Sequence, residues 1–168
     1  MDAKIFHKIM IRHFEETQSF IDELKDEIIL QKPLMDGRPL GEIVLHIIRS
    51  LEFYFTGIVK DEWKPLSYNL DEYGNEKAIK ELYNRVTSRT VFLLEQISDS
   101  MLNEEVLDFN RAATKAEILQ EVLEHSLHHR GQLSVYFRLF DMNPPVIEYI
   151  IWTLSIPYIS INILAQYC

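Results

Sequence analysis

The stretch "TKAEILQEVLEHSLHHRGQLSVYFRLFDMNPP", residues 114–145, predicts a long helix with well-marked ends. Thr114 and Glu117 have the spacing of a capping box, in which each side chain bonds the other residue's backbone amide. The helix should end near Asp141, because two prolines follow and cannot continue it. Between these ends, apolar residues recur at three-and-four spacing and predict a face that packs against other helices. This stripe comprises Ile118, Val122, Leu133, Tyr136 and Phe140.

Three further segments show the same periodicity. Residues 5–30, 40–57 and 76–98 each predict an amphipathic helix, and Asn75 is a suitable N-cap for the third of them. A long connection, residues 58–74, separates the second helix from the third. The predicted fold is therefore all-α: a four-helix bundle in up-down-down-up order, with residues 58–74 as the long crossing connection.

The composition narrows the class of protein. A chain of 168 residues is expected to form one domain. Its net charge of −9 argues against a nucleic-acid binder, which would need a basic face to displace counterions from phosphates. The only cysteine is Cys168, so one chain can form neither a disulfide framework nor a cysteine-based zinc site. The first ten residues also lack the apolar run of a signal peptide. We therefore predict a cytoplasmic protein.

The C-terminal segment is unusual because Tyr149 to Cys168 contains no charged residue. Pro157 and several polar residues interrupt the run, which argues against a membrane-spanning helix. An exposed apolar run of this length would promote aggregation. We therefore expect a bundle domain of residues 1–153 and an apolar extension, residues 154–168, that packs on the domain or on the second copy of a homodimer.

Three of the six histidines lie within residues 125–129. On a helical wheel at about 100° per residue, His125 and His129 fall inside the apolar stripe, one turn apart, and His128 falls on its flank. A buried imidazole without a partner costs about 1–3 kcal/mol, so the two must be satisfied in some way. One possibility is that both are core polar residues with their own hydrogen-bond partners. The other is a shared metal ion, as in helical His-x-x-x-His sites.

A metal ion would need a third ligand from another helix, and periodicity leaves its identity open. His13 lies on the apolar stripe of the first helix. His46 flanks the stripe of the second helix, on the side of Ser50. His7 falls on the polar side of the first helix and should be solvated.

Two motifs resemble a known family. "RPLGEIVLHIIRSLEFY", residues 38–54, is followed by "EILQEVLEHSLHHRGQLSVYFRL", residues 117–139. Together they resemble the DinB/YfiT-like metalloenzyme superfamily, and the match extends over residues 1 to about 153. The resemblance implies a four-helix bundle with a divalent ion held by three histidines, which match His46, His125 and His129 here. It thereby selects His46 over His13.

Three imidazoles without a protein carboxylate leave coordination positions open, as in catalytic zinc sites. Zinc or nickel is expected, and iron also suits imidazole ligands. The resemblance implies an enzyme that transfers a low-molecular-weight thiol to a small-molecule substrate, or a hydrolase. The alternative is a non-catalytic metal-binding protein of the stress response that acts through dimerisation. The residues expected around the ligands are His13, Ser50, His128 and Gln132.

Overall fold

The computed structural model describes residues 2–107 and 109–147 of the chain. The fold predicted from the sequence is confirmed: the described residues are mostly helical, and their only strands form one short antiparallel ribbon. The helices are α1 (Ala3–Asp22), α2 (Asp26–Ile29), α3 (Leu40–Lys60), α4 (Glu76–Leu94) and α5 (Lys115–Leu139). A 3₁₀ turn (Met101–Asn103) leads to the ribbon of β1 (Glu105–Val106) and β2 (Ala113–Thr114).

Side-chain contacts give the direction of α4 relative to α1. The Tyr83 hydroxyl donates to the carbonyl of Phe14 at 3.0 Å. Lys80, earlier in α4, donates at 3.0 Å to the carbonyl of Leu24, which follows α1. An earlier residue of α4 thus contacts a later residue of the α1 segment, so α1 and α4 are antiparallel.

The direction of α5 follows in the same way. Glu16 pairs with Arg130 at 2.8 Å, and farther along both helices Phe20 stacks on Phe137, so α1 and α5 are parallel. The Tyr54 hydroxyl of α3 donates to Glu121 at 3.2 Å, whereas the earlier residue of α3, His46, lies beside the later His125. Helix α3 is thus antiparallel to α5. The order is up-down-down-up, as the sequence predicts, and α3 packs against both α4 and α5.

The connection between α3 and α4, residues 61–75, crosses the bundle because consecutive parallel helices need a returning segment. It is held to α3 at two points. Trp63 packs directly on Gly57, where a Cβ atom would lie 2.1 Å from the indole ring. The Tyr68 hydroxyl donates to the buried carboxylate of Glu52 at 2.6 Å.

Two predicted helix starts are formed, but other bounds differ from the prediction: α3 continues to Lys60 instead of ending near residue 57, and α4 ends at Leu94 instead of residue 98. The capping box of Thr114 and Glu117 is formed, and the Asn75 side chain accepts from the Ala78 amide at 2.9 Å. The single helix predicted over residues 5–30 is instead α1 and α2, separated by an extended Lys25. Residues on both sides of this break are buried, so the apolar spacing continues through it and does not reveal it.

A polar network lies buried between α1 and α5. Arg130 donates through Nη2 to Glu16 at 2.8 Å, and its Nη1 lies 3.2 Å from His13 Nδ1. Because arginine only donates, Nδ1 must accept, and the proton of the neutral ring is then on Nε2. His13 Nε2 lies 2.6 Å from the Ser126 hydroxyl and donates to it. Both ring nitrogens of His13 are therefore engaged in this network.

This network corrects the predicted face of α5. The sequence predicts that one buried stripe contains the two histidines, Tyr136 and Phe140, but Tyr136 and Phe140 are only partly buried. The buried face is rotated so that Ser126 and Arg130 lie inside, and the histidines lie along one edge of it. The sequence pattern misses this rotation because it counts serine and arginine as exterior residues. Here Ser126 and Arg130 can be buried because His13 and Glu16 on α1 bond to them.

The extension predicted for residues 154–168 lies outside the described residues, and its packing and the predicted homodimer remain predictions. Among the described helices, none is long and apolar enough to cross a membrane.

The buried His13 predicts a specific dependence of stability on pH. Burial, with added repulsion from Arg130 and Arg12, lowers the pKa of His13 to about 3. In the unfolded chain a histidine has a pKa of about 6.5. Below that pH the unfolded chain takes up a proton that the folded chain does not, so stability is present above about pH 6.5 and is lost as the pH falls towards about 3.

We therefore expect the wild type to lose about 2 kcal/mol more unfolding free energy than His13→Gln between pH 7 and pH 5. Glutamine can still donate to Ser126 but does not titrate. Urea unfolding of both proteins at the two pH values measures the difference. Equal losses would show that His13 is not the group that resists protonation.

Candidate metal centre

Three histidines from two helices meet at the edge of the α3–α5 interface. His125 Nε2 lies 3.1 Å from His46 Nε2 and 3.1 Å from His129 Nε2. One ring nitrogen from each of the three lies within 4.8 Å of the others. In the described part of the chain, this is the only group of three or more histidine, cysteine or acidic side chains arranged to hold a metal ion.

The local sequence explains why these side chains converge. His125 and His129 are four residues apart on α5, so they project from the same face on successive turns. His46 is followed on α3 by the buried pair Ile47 and Ile48, which fixes the helix in the core and leaves the imidazole at the interface. His46 and His125 are half-buried, and His129 is 9% exposed.

Gln132 determines which nitrogen of His129 faces the cluster. The Gln132 Oε1 atom lies 2.8 Å from His129 Nδ1, and its Nε2 lies 3.1 Å from His128 Nε2. Because a carbonyl oxygen only accepts, Nδ1 of His129 carries the proton, and Nε2 presents a lone pair to the other two rings. A hydrogen bond of this kind orients histidine ligands in metal sites.

The cluster is not satisfied by hydrogen bonds among its own members. A neutral imidazole nitrogen has either one proton or one lone pair, so His125 Nε2 cannot make two full hydrogen bonds at 3.1 Å. A cation facing three lone pairs removes this conflict. Two nitrogens 3.1 Å apart, each about 2.0–2.1 Å from one ion, subtend about 95–100° there, between octahedral and tetrahedral angles. The donor set therefore fits a small divalent ion.

The electrostatic environment keeps the three rings neutral. Burial lowers the pKa of His46 and His129, and it lowers the pKa of His125 to about 4. The neighbouring imidazoles add repulsion, and so does Arg38 for His46 and His129. Neutral imidazole is the form that binds a metal, so no proton has to be displaced near pH 7.

One cleft borders the cluster, and a second cavity lies nearby. A cleft of about 620 Å³ opens beside His129, and its lining includes Arg38 and Tyr136, which sequence reasoning missed. A second cavity of about 430 Å³ is lined by Tyr54, whose ring centroid lies 6.5 Å from that of His125. Burial and the neighbouring Glu121 raise the pKa of Tyr54, so its hydroxyl stays protonated and donates to that carboxylate. The lining residues come from separate segments, so only the fold brings them together.

The other residues singled out from the sequence lie at different distances from the cluster. Gln132 contacts His129 directly, and the exposed His128 is linked to that ligand candidate through Gln132. Ser50 is half-buried, one turn beyond His46 on α3. His13 does not join the cluster, since both its ring nitrogens are engaged by Ser126 and Arg130.

The sequence profile of the DinB family matches residues 4–155. The chain belongs to the DinB family. Two proteins of Bacillus subtilis, both named only as uncharacterized, are similar to it. YjoA is 29% identical over 136 residues, which cover 77% of this chain and 87% of YjoA. YizA is 25% identical over 136 residues, 79% of this chain and 84% of YizA.

Two crystal structures share the fold. One is of the DinB-like protein YjoA from Bacillus subtilis and the other is of a DinB-like protein from Bacillus cereus, each with a TM-score of 0.72 and 24% sequence identity. The matches cover 84% and 85% of this chain, and 95% of each crystallised chain. This structural likeness supports the helical-bundle fold described above for this chain.

Alanine variants test the ligand set. His46→Ala, His125→Ala and His129→Ala should each lose the bound ion, because two imidazoles leave a divalent ion with too few protein ligands. His128→Ala should keep most of it, with affinity reduced by about 10- to 100-fold at most if the contact through Gln132 orients His129. Elemental analysis after dialysis against zinc measures occupancy, and circular dichroism checks that each variant is folded. Full occupancy in His46→Ala or His125→Ala would contradict this ligand set.

Proposed function

We propose that this DinB family protein binds one divalent ion through His46, His125 and His129 and uses it in a reaction of a small molecule held in the adjacent cleft. The proposal is carried by one observation: three imidazoles converge with no carboxylate in the group, and one of them, His129, lines an open cleft. Structural zinc sites are closed by four protein ligands, whereas catalytic sites keep a position free for substrate.

The chain's own residues would have defined tasks in such a site. Gln132 holds His129 in the tautomer that offers Nε2 to the ion. Zinc or nickel fits the donor set, and iron is also compatible with imidazole ligands. An ion bound there supplies Lewis acidity that lowers the pKa of a thiol or a water molecule in the cleft.

Thiol transfer is the reaction that the cleft supports best. Hydrolysis usually needs a general base to take a proton from water, and no aspartate or glutamate lines the cleft. The Nε2 lone pair of His128 is already engaged by Gln132. A thiol ionises much more readily than water, so it needs no such base. The sulfur then bonds to an electrophilic carbon, the leaving group departs with its electron pair, and the thiol proton passes to solvent.

A thiol screen tests this function. Zinc- and nickel-loaded protein should consume bacillithiol, glutathione or coenzyme A in the presence of an electrophile such as monobromobimane, faster than the uncatalysed reaction. His125→Ala should show only the uncatalysed rate, because it lacks a ligand of the ion. His7→Ala should keep the activity, because His7 belongs neither to the cluster nor to the cleft lining. The readout is loss of free thiol together with formation of the thioether.

The outcomes of the screen separate the remaining possibilities. Metal-dependent cleavage of ester or amide substrates without thiol consumption would replace the transferase with a hydrolase. Stoichiometric metal binding with neither activity would favour a non-catalytic metal-binding protein.

A further inference from the structure

The cleft beside His129 has an unusual charge for this chain. The chain carries a net charge of −9, yet no acidic residue lines the cleft. Its lining includes one permanent cation, Arg38, together with the polar side chains of His128, Gln132 and Tyr136. A solute with a negative group would therefore be attracted to this wall.

Arg38 is not neutralised by a neighbour in the described parts of the chain. Arg49 pairs with Glu42, and Arg130 pairs with Glu16, whereas none of the ion pairs there includes Arg38. Arg38 and His129 also line the same cleft. The guanidinium is thus available to a ligand in the cleft that His129 borders.

The backbone that carries Arg38 is fixed against α5. The Tyr136 hydroxyl donates to the Arg38 carbonyl at 3.2 Å. At Gly37, a Cβ atom would lie 3.1 Å from the Leu34 carbonyl oxygen and 3.2 Å from the Tyr136 hydroxyl, so the loop approaches α5 closely here. This contact holds the start of the Arg38 side chain at the cleft wall and leaves the flexible part of the side chain free to adjust to a ligand.

We propose that Arg38 binds a carboxylate of the small molecule whose reactive atom faces His46, His125 and His129. This inference rests on the proposed function and names its substrate class: a small thiol that carries a carboxylate. The planar guanidinium pairs with both oxygens of such a group. A single cation matches a monoanion better than a phosphate dianion, which usually recruits several cations or backbone amides. A cleft of about 620 Å³ is within the range for small-molecule sites.

Two thiols of similar size distinguish the contribution of the carboxylate to binding from that of the sulfur. Mercaptoacetate and mercaptoethanol both offer a thiol, and only the first carries a negative charge. With cobalt-loaded protein, the sulfur-to-cobalt charge-transfer absorption reports the binding of each. Wild type should bind mercaptoacetate about 10- to 100-fold more tightly than Arg38→Gln does, the range expected for a charge-assisted pair. Affinity for mercaptoethanol should be the same in both proteins.

Matched variants make the test specific. Arg38→Lys should keep part of the preference for mercaptoacetate, since the charge remains and the two-pronged geometry is lost. Arg138→Gln is the control, because Arg138 is exposed on α5 and donates to the carbonyl of Ser134 in its own helix. It should bind both thiols as wild type does. Equal loss of mercaptoacetate binding in the Arg138 and Arg38 variants would overturn the inference.

The metal site and the carboxylate site can fail separately. If cobalt binds but Arg38→Gln retains the full preference for mercaptoacetate, the assignment of Arg38 as the carboxylate-binding residue is wrong, and the metal site is unaffected. If cobalt does not bind, the proposed function fails. The carboxylate site is then tested by titrating mercaptoacetate into the metal-free wild type and Arg38→Gln while the amide chemical shifts are recorded by NMR. Shifts of the Gly37 and Gly131 amides only in the wild type would still support the carboxylate site, and their absence would overturn it. Stronger competition by inorganic phosphate than by acetate would also overturn the carboxylate assignment.

Discussion

The rotation of α5 about its own axis is the constraint on which the rest of the structure depends. Ser126 and Arg130, the residues immediately after His125 and His129, are buried in contacts with His13 and with the carboxylate of Glu16 on α1. Burying an arginine is costly unless its charge is paired and its donors are used, so these contacts permit little variation in the position of α5. With Ser126 and Arg130 turned towards α1, the two histidines necessarily turn towards α3.

The same geometry explains how one short segment can have two different roles. In residues 125–130, two adjacent faces of the helix contribute to the core network and to the histidine cluster, because successive residues are about 100° apart. The network is closed, with the nitrogens of His13 engaged by partners on α5. The cluster is open, because its Nε2 atoms face one another without enough protons to bond in full, and His129 borders a cleft. This difference separates a histidine that stabilises the fold from histidines that can hold a metal ion.

Much of the fold can be predicted from the sequence because its signals are local. The capping box at Thr114, the Asn75 cap and the helical spacing of apolar residues all depend on neighbours within one or two turns. The break at Lys25 could not be predicted, since the apolar spacing continues across it. The rotated face of α5 depends on partners more than a hundred residues away, so no local pattern contains it.

The candidate site also has parts that local sequence signals reveal and parts that only the fold reveals. Spacing alone indicates the pair on α5, but it cannot choose between His13 and His46; the family resemblance selects His46, and the fold brings that residue to the pair. Arg38 and Tyr136 reach the cleft only through the contact between their segments, which has no sequence signal. The role of Gln132 in fixing a tautomer likewise needs atomic positions.

The proposed site has three imidazoles that hold one divalent ion, with the remaining coordination positions facing the cleft. Diffraction from crystals of the zinc-loaded protein, recorded at the zinc absorption edge, tests it most directly. We expect one anomalous peak about 2.0–2.2 Å from Nε2 of His46, His125 and His129, with a non-protein ligand completing the coordination. A peak at other residues, or a protein carboxylate that closes the coordination sphere, would contradict it.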